Sequence, residues 1–170
     1  PIKKGDSYVG WENAGDSHTT KQILISAIPK NVADGFVETL NYANIKILAL
    51  ESHLASIARS IKLEPGITTL ITKKNPNGTI IFILKDNALQ FSRILPETFI
   101  KDNKALANEI KNIKTAFESE KKISIIELPL TKAPIKDEYL KYMGPKEFNP
   151  ELLSKWFISI GATIRGEISE

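Results

Sequence analysis

In the first part of the chain, segments with strand-like apolar runs alternate with segments whose apolar residues recur at helical spacing. Residues 21–28 form a β-branched apolar run, which is typical of a buried strand. Asn31 is a good N-cap residue, and apolar residues recur at helical spacing through 31–43, so we predict an amphipathic helix packed on that strand. Residues 45–50 predict a second strand and residues 52–61 a second helix. This order of elements is typical of an α/β domain.

The pattern changes after Pro65-Gly66, where a domain boundary is expected. Three strands are predicted in succession, at residues 67–72, 79–85 and 88–95. They are separated by two turn sequences, Asn75-Pro76-Asn77-Gly78 and Asp86-Asn87. Short turns between consecutive strands predict an antiparallel meander.

The two ends of the chain give weaker patterns. Residues 1–20 predict an irregular approach or an edge strand. Residues 102–119 form a long amphipathic helix pattern, and residues 123–128 a short strand. Beyond these, 137–142 predict a helical turn and 151–160 a helix stopped by glycine.

Composition narrows the class of protein only a little. The chain has 170 residues, of which 42% are hydrophobic and 25% charged, so it is expected to fold and to bury a core. The 23 basic residues are nearly balanced by 20 acidic ones and are scattered, so no nucleic-acid partner is expected.

The sequence lacks several features, and their absence excludes further classes of site. Without cysteine there can be no disulfide framework, thiolate metal site or cysteine nucleophile. No apolar run approaches the roughly 18 residues that a membrane span needs, and no signal peptide pattern is visible. Because the chain begins at Pro1 without methionine, an excised fragment or processed chain is expected.

Metal and nucleophile chemistry find little support. His18 and His53 lie in different predicted elements, and no metal-binding spacing surrounds them, so no metal is expected. Gly15-Asp16-Ser17-His18 resembles the nucleophile block of certain esterases. No aspartate precedes His53 at the short spacing that would orient its imidazole, so a local turn is favoured.

A few charged residues stand out by position. Lys73 and Lys74 lie beside the turn at 75–78, which is a candidate phosphate contact, although a plain hairpin turn is favoured. Glu51, after a predicted strand, is either a catalytic carboxylate or, by preference, the start of the next helix. Arg59 and Arg93 occur in apolar settings and are expected to be paired or to snorkel.

A family resemblance rests on the order of seven short segments. They are ISAIPK at 25–30, NIKILALE at 44–51, ASIARS at 55–60, GTIIFI at 78–83, LQFSRILP at 89–96, NEI at 108–110 and SIGA at 159–162. In this order they resemble the PilM-type actin-like proteins of type IV pilus assembly, which are relatives of the cell-division protein FtsA.

The resemblance implies a mixed α/β fold. It would be an actin-like, ribonuclease H-like lobe with an antiparallel meander, preceded by part of a subdomain of the 1C type. Residues 1–64 would form part of that 1C-like subdomain with its connecting strand and helix, and residues 65–170 a second-lobe-like domain with a reduced 2B region.

The chain departs from the family at its nucleotide loops. Thr72, Lys73 and Lys74 stand where the second phosphate loop has an aspartate and a glycine, and residues 129–132 replace a glycine pair of the adenosine loop. The carboxylate that would manage Mg²⁺ and water is therefore missing. No catalytic, cofactor-binding or metal residue is assigned.

The resemblance then implies a non-catalytic scaffold of the bacterial pilus machinery. Such a scaffold would be cytoplasmic, would be recruited to the inner membrane by the cytoplasmic tail of an inner-membrane assembly protein, and would have the option of self-association. One alternative is an actin-like ATPase that uses ATP and Mg, with its site completed by a missing N-terminal segment. Another is an unrelated α/β binding module with a basic patch.

Overall fold

The computed structural model describes residues 5–16, 21–100, 102–136 and Ser159. These residues belong to two compact units, one that ends at Ser52 and one that begins at His53. The predicted helical turn at 137–142 and all but Ser159 of the predicted helix at 151–160 lie outside the described residues. The division into actin-like subdomains at 1–64 and 65–170 stays a prediction.

The first unit is a β-hairpin followed by a helix. Strands β1 (Ser7–Asp16) and β2 (Lys21–Pro29) pair antiparallel, with Trp11 opposite Ile25, and helix α1 (Lys30–Tyr42) follows directly. An edge strand was one of the two alternatives predicted for residues 1–20, and β1 is that strand. The helix predicted at 31–43 is confirmed within one residue at each end.

The start of α1 corrects one sequence prediction. Asn31 is not the N-cap, because the helix already begins at Lys30, with Pro29 at the N-cap position and no side chain capping it. The Lys30 amide donates instead to the Asp6 carbonyl, 2.9 Å away. An amide of the first helical turn thus finds a partner in a carbonyl at the hairpin entry, without a capping side chain.

The strand predicted at residues 45–50 is not formed. Asn44 adopts a positive φ of 56° after α1, and the Ile45 amide donates back to the Leu40 carbonyl at 2.9 Å. No described strand pairs with residues 45–50, and a strand needs a neighbour to receive its hydrogen bonds. The segment is apolar, as the prediction assumed, but it does not pair as a strand.

The second unit contains one mixed four-stranded sheet. Its strands run in the order β5-β4-β3-β6, with β3 antiparallel to β4, β4 antiparallel to β5, and β6 parallel to β3. The elements are α2 (His53–Ser60), β3 (Thr68–Asn75), β4 (Gly78–Lys85), β5 (Ala88–Pro96), α3 (Asn103–Lys121) and β6 (Ile125–Pro129). The predicted meander, the long helix and the short strand after it are confirmed.

A turn between two strands and a helix cap define the ends of three of these elements. Asp86 and Asn87 both have positive φ, 51° and 63°, so the β4–β5 connection is a type I′ turn, which matches the twist of the strands. At the start of α3, the Asp102 side chain accepts a hydrogen bond from the Ala105 amide at 2.7 Å. This N-cap satisfies one of the free amides of the first helical turn.

The sheet is apolar on both faces. One face packs against α3 through a buried cluster of Leu70, Ile81, Ile83, Leu95, Ile113 and Ile125. The alternate residues of β3 and β4, which include Ile71, Ile80, Phe82 and Leu84, point to the other face and are also buried. Helix α2 contacts β5 and buries Ile57 completely, so we place it on this second face. Strand β4 is therefore the centre of the core.

Candidate functional site

A cavity of about 390 Å³ opens where the β3–β4 turn meets the start of α3. Its described lining residues are Lys74, Asn75, Gly78, Thr79, Glu97, Ile100, Asp102, Asn103 and Leu106. The turn at 75–78 is the plain hairpin that the sequence favours, because Asn75 pairs directly with Gly78. The topology thus brings the candidate phosphate contact next to a helix start that lies some 25 residues further along the chain.

The charges around this cavity do not favour a phosphate. Lys74 provides a cation, but Glu97 and Asp102 bring two carboxylates to the same lining. The Asp102 carboxylate is already engaged as the N-cap of α3. Among the described lining residues there is no hydroxyl or thiol paired with a histidine base, as nucleophilic catalysis would need. The cavity is suited to a small polar molecule.

A second polar pair lies on the α2 face of the sheet. Lys73 has the same strand parity as the buried Ile71, so it points toward α2, whereas Lys74 points toward α3. His53 is the first residue of α2. Burial lowers the pKa of His53, and the nearby Lys73 cation lowers it further. Burial also lowers the pKa of Lys73.

The His53 titration gives a testable pH dependence. Because the folded pKa lies below the ordinary value of 6.5, the unfolded chain binds this proton more readily. Stability is therefore expected to fall as the pH drops below about 6.5 toward the folded pKa. Lys73→Met should raise the pKa of His53, but not to 6.5, because burial is the larger cause. Imidazole proton shifts in an NMR titration measure this directly.

The neighbouring lysine provides the matched control. Lys74→Met removes the same charge from the opposite face of β3 and should leave the His53 pKa nearly unchanged. Equal shifts in the two variants would contradict the placement of Lys73 beside His53.

The remaining residues singled out from the sequence lie on separate segments of the chain. Arg93 is paired as expected, with Nη1 2.6 Å from Oε1 of Glu109 on α3. Arg59 is half-buried in α2, and Glu51 lies before α2 in a segment without strand structure. His18 lies outside the described residues. No three His, Cys, Asp or Glu side chains of the described part of the chain come close enough to hold a metal ion.

The β1–β2 hairpin has an exposed apolar side, which the sequence pattern did not predict. Strand β2 was predicted to be buried, yet Ile25 is 67% and Ile23 55% exposed, and across the hairpin Trp11 is 75% and Val9 64% exposed. With Ala27, these side chains occupy one side of the hairpin, which we call the hairpin face. The reason for the error is that α1 covers only the other side.

Contacts from Tyr8 identify the covered side. Its hydroxyl donates to Oδ1 of Asp34 on α1 at 3.0 Å, which raises the pKa of Tyr8. The Lys30 ammonium lies 5.6 Å from the centre of the Tyr8 ring. Tyr8 alternates with Val9 along β1, so these contacts hold α1 on the side away from the hairpin face.

The rest of the first unit is apolar on its surface as well. Among its described residues Ala33 is the only one that is buried. Val32, Phe36, Tyr42, Ile45, Leu48 and Leu50 are all at least 43% exposed. Exposed apolar surface on this scale is typical of regions that bind another molecule.

The fold defines the class of this chain as a mixed α/β protein. In its second unit, a three-stranded meander is followed by a helix and by a fourth strand parallel to the first. Among solved structures, the chain is similar to the "PilM-PilN type IV pilus biogenesis complex". The match has a TM-score of 0.54 and 11% sequence identity, and covers 96% of this chain and 68% of the other.

Comparisons of sequence alone add no family. No family model matches the chain, and none of the curated proteins matches it. The likeness at 11% identity therefore shows the fold alone. Within the described residues, no helix combines the length and apolarity needed to cross a bilayer.

Proposed function

We propose that this chain is a non-catalytic, actin-like scaffold of a type IV pilus assembly machine. Its role is to bind the cytoplasmic tail of an inner-membrane partner, as a PilM-type protein would bind a PilN-type protein. The observation that carries the proposal is the structural match to a chain of the "PilM-PilN type IV pilus biogenesis complex", which extends over 96% of this chain.

Two features of the molecule support a binding role over a catalytic one. The cavity beside the β3–β4 turn brings together one lysine and two carboxylates, and one of those carboxylates caps a helix. The first unit exposes large apolar side chains on both the hairpin and α1. Such surfaces are typical of proteins that work by docking.

The test is a titration of the chain against a fluorescent peptide that covers the cytoplasmic tail of a PilN-type protein. We expect saturable binding at about micromolar concentration, measured as a rise in anisotropy. A scrambled peptide of the same composition is the control. A folded chain that fails to bind the peptide at about 100 μM would contradict the scaffold role.

An ATP-binding role is the second candidate. The two carboxylates that line the cavity oppose it, but the backbone around the cavity supports it. Lys74 and the backbone of a hairpin turn lie beside the first turn of α3, where main-chain amides attract anions. In this alternative the chain supplies part of an actin-like site for ATP and Mg.

Calorimetry separates the two roles. The scaffold role predicts no heat of binding when Mg-ATP is added to the chain. The ATPase role predicts tight, Mg²⁺-dependent binding. Lys74→Met should then weaken this binding at least tenfold, and Lys73→Met, on the other face of the sheet, should leave it unchanged. This result would replace the scaffold role with the ATPase role.

A further inference from the structure

We propose that the hairpin face is a self-association site, through which two copies of this chain pack sheet against sheet. The proposal concerns the chain alone and does not depend on the pilus partner. Its starting point is the row of exposed apolar side chains, Val9, Trp11, Ile23 and Ile25, on a side of the hairpin that α1 does not cover.

The face is free of charge over its described centre. The alternate positions of β1 from Ser7 to Asn13 and of β2 from Ile23 to Pro29 share this side of the hairpin. They are Ser7, Val9, Trp11, Asn13, Ile23, Ile25, Ala27 and Pro29. The absence of charge is typical of the buried centre of a protein interface and does not suit nucleic acid or an anionic membrane.

The residues are also arranged so that the face can fit against itself. The cross-strand pair Val9 and Ala27 forms a row of small side chains, and the next pair, Trp11 and Ile25, forms a row of large ones. When two identical faces meet around a two-fold axis, the large row of one copy can lie over the small row of the other. Interdigitation of this kind is what close packing between sheets requires.

The available area predicts a weak, reversible dimer. A large aromatic side chain has roughly 150–250 Å² of surface, and an aliphatic one about 60–120 Å². At their exposures in the chain, the four apolar side chains Val9, Trp11, Ile23 and Ile25 present on the order of 300 Å² of apolar surface per copy. Two copies, with the strand backbone and small side chains between them, approach the lower limit of specific interfaces near 1,000 Å².

Sedimentation velocity on the full chain tests the proposal. The wild-type chain should change from monomer to dimer as its concentration rises from about 5 to 500 μM, the range expected for so small an interface. Ile25→Lys places a charge in the centre of the face and should raise the dissociation constant at least tenfold. Circular dichroism checks that the variant keeps its fold.

The second unit offers a matched control. Ile94 on β5 is 65% exposed, close to the 67% of Ile25, so Ile94→Lys makes the same chemical change at nearly the same exposure in the second unit. It should leave the dissociation constant unchanged. A chain that stays monomeric throughout the range overturns the proposal and leaves the face to a different protein. The proposal is also overturned if both variants weaken the dimer equally, or if neither variant weakens it.

A distance measurement locates the interface without relying on a disruptive variant. Because the chain has no cysteine, Ala27→Cys introduces a unique site for a nitroxide label on the hairpin face. Facing sheets lie about 10 Å apart, so dipolar spectroscopy should give a label-to-label distance of roughly 10–25 Å in the dimer. A label at Thr39→Cys on α1 should give a clearly longer distance. A long distance at position 27 in a dimeric sample would place the interface elsewhere and overturn the proposal.

Discussion

Phe82→Ala is expected to lower the free energy of unfolding by about 3–5 kcal/mol, measured by urea denaturation. Phe82 lies in the central strand β4 and is completely buried on the α2 face of the sheet. Truncation removes apolar contacts and leaves a cavity between two layers that are both packed. Because small domains are stable by only about 5–15 kcal/mol, this loss is a large fraction of the total stability.

The control for this prediction is a truncation on the edge strand. Ile94→Ala on β5 removes an apolar side chain that is already 65% exposed, so it should cost less than about 1 kcal/mol. If the two variants lost similar stability, or if Phe82→Ala were nearly neutral, β4 would not be the centre of the core.

The second unit could be predicted well because its signals are local. Each strand of the meander has its own apolar run, and the Asp86-Asn87 turn has residues that tolerate positive φ. Asp102 precedes the long helix as a capping residue should, and its side chain does cap the helix. The parallel pairing of β3 with β6 is not local, and it was not predicted from the sequence.

The first unit was harder to predict, because an apolar pattern shows which residues are hydrophobic but not which element packs against them. Residues 21–28 were correctly assigned to a strand, but Ile23 and Ile25 are exposed since the hairpin has a helix on one side only. Residues 45–50 have the composition of a strand, yet no described strand pairs with them. Pairing partners lie far away in sequence or on another chain, so periodicity cannot supply them.

The candidate site shows the same limit. Lys73 and Lys74 are adjacent in sequence and both looked like phosphate contacts beside one turn. Strand alternation sends them to opposite faces, one to His53 and the other to the cavity at the start of α3. The strand predicted at 67–72 ends before these lysines, whereas β3 continues to Asn75 and includes both. The positions of α2 and α3 over the two faces come from the tertiary fold.

Gly78→Ala is expected to be the most damaging single-methyl change in the second unit, with a loss of about 2–5 kcal/mol. Gly78 begins β4 with a φ of +139°, a backbone conformation that residues with a Cβ rarely adopt. An added Cβ would meet the Leu95 carbonyl oxygen, and it would lie 2.9 Å from Cα of Pro96. Both are backbone atoms of β5, so no side chain can rotate to make room.

A second glycine separates the two causes of this loss. Gly66 also has a positive φ, +77°, but an added Cβ would find nothing within 4 Å. Gly66→Ala should therefore cost only the backbone strain, about 1–2 kcal/mol, and urea denaturation of the two variants measures the difference. If Gly78→Ala cost no more than Gly66→Ala, β5 would have to move away from the β3–β4 turn without penalty. The cavity between that turn and α3 would then lack the rigid wall that the geometry gives it, since Gly78 and Glu97 both line it.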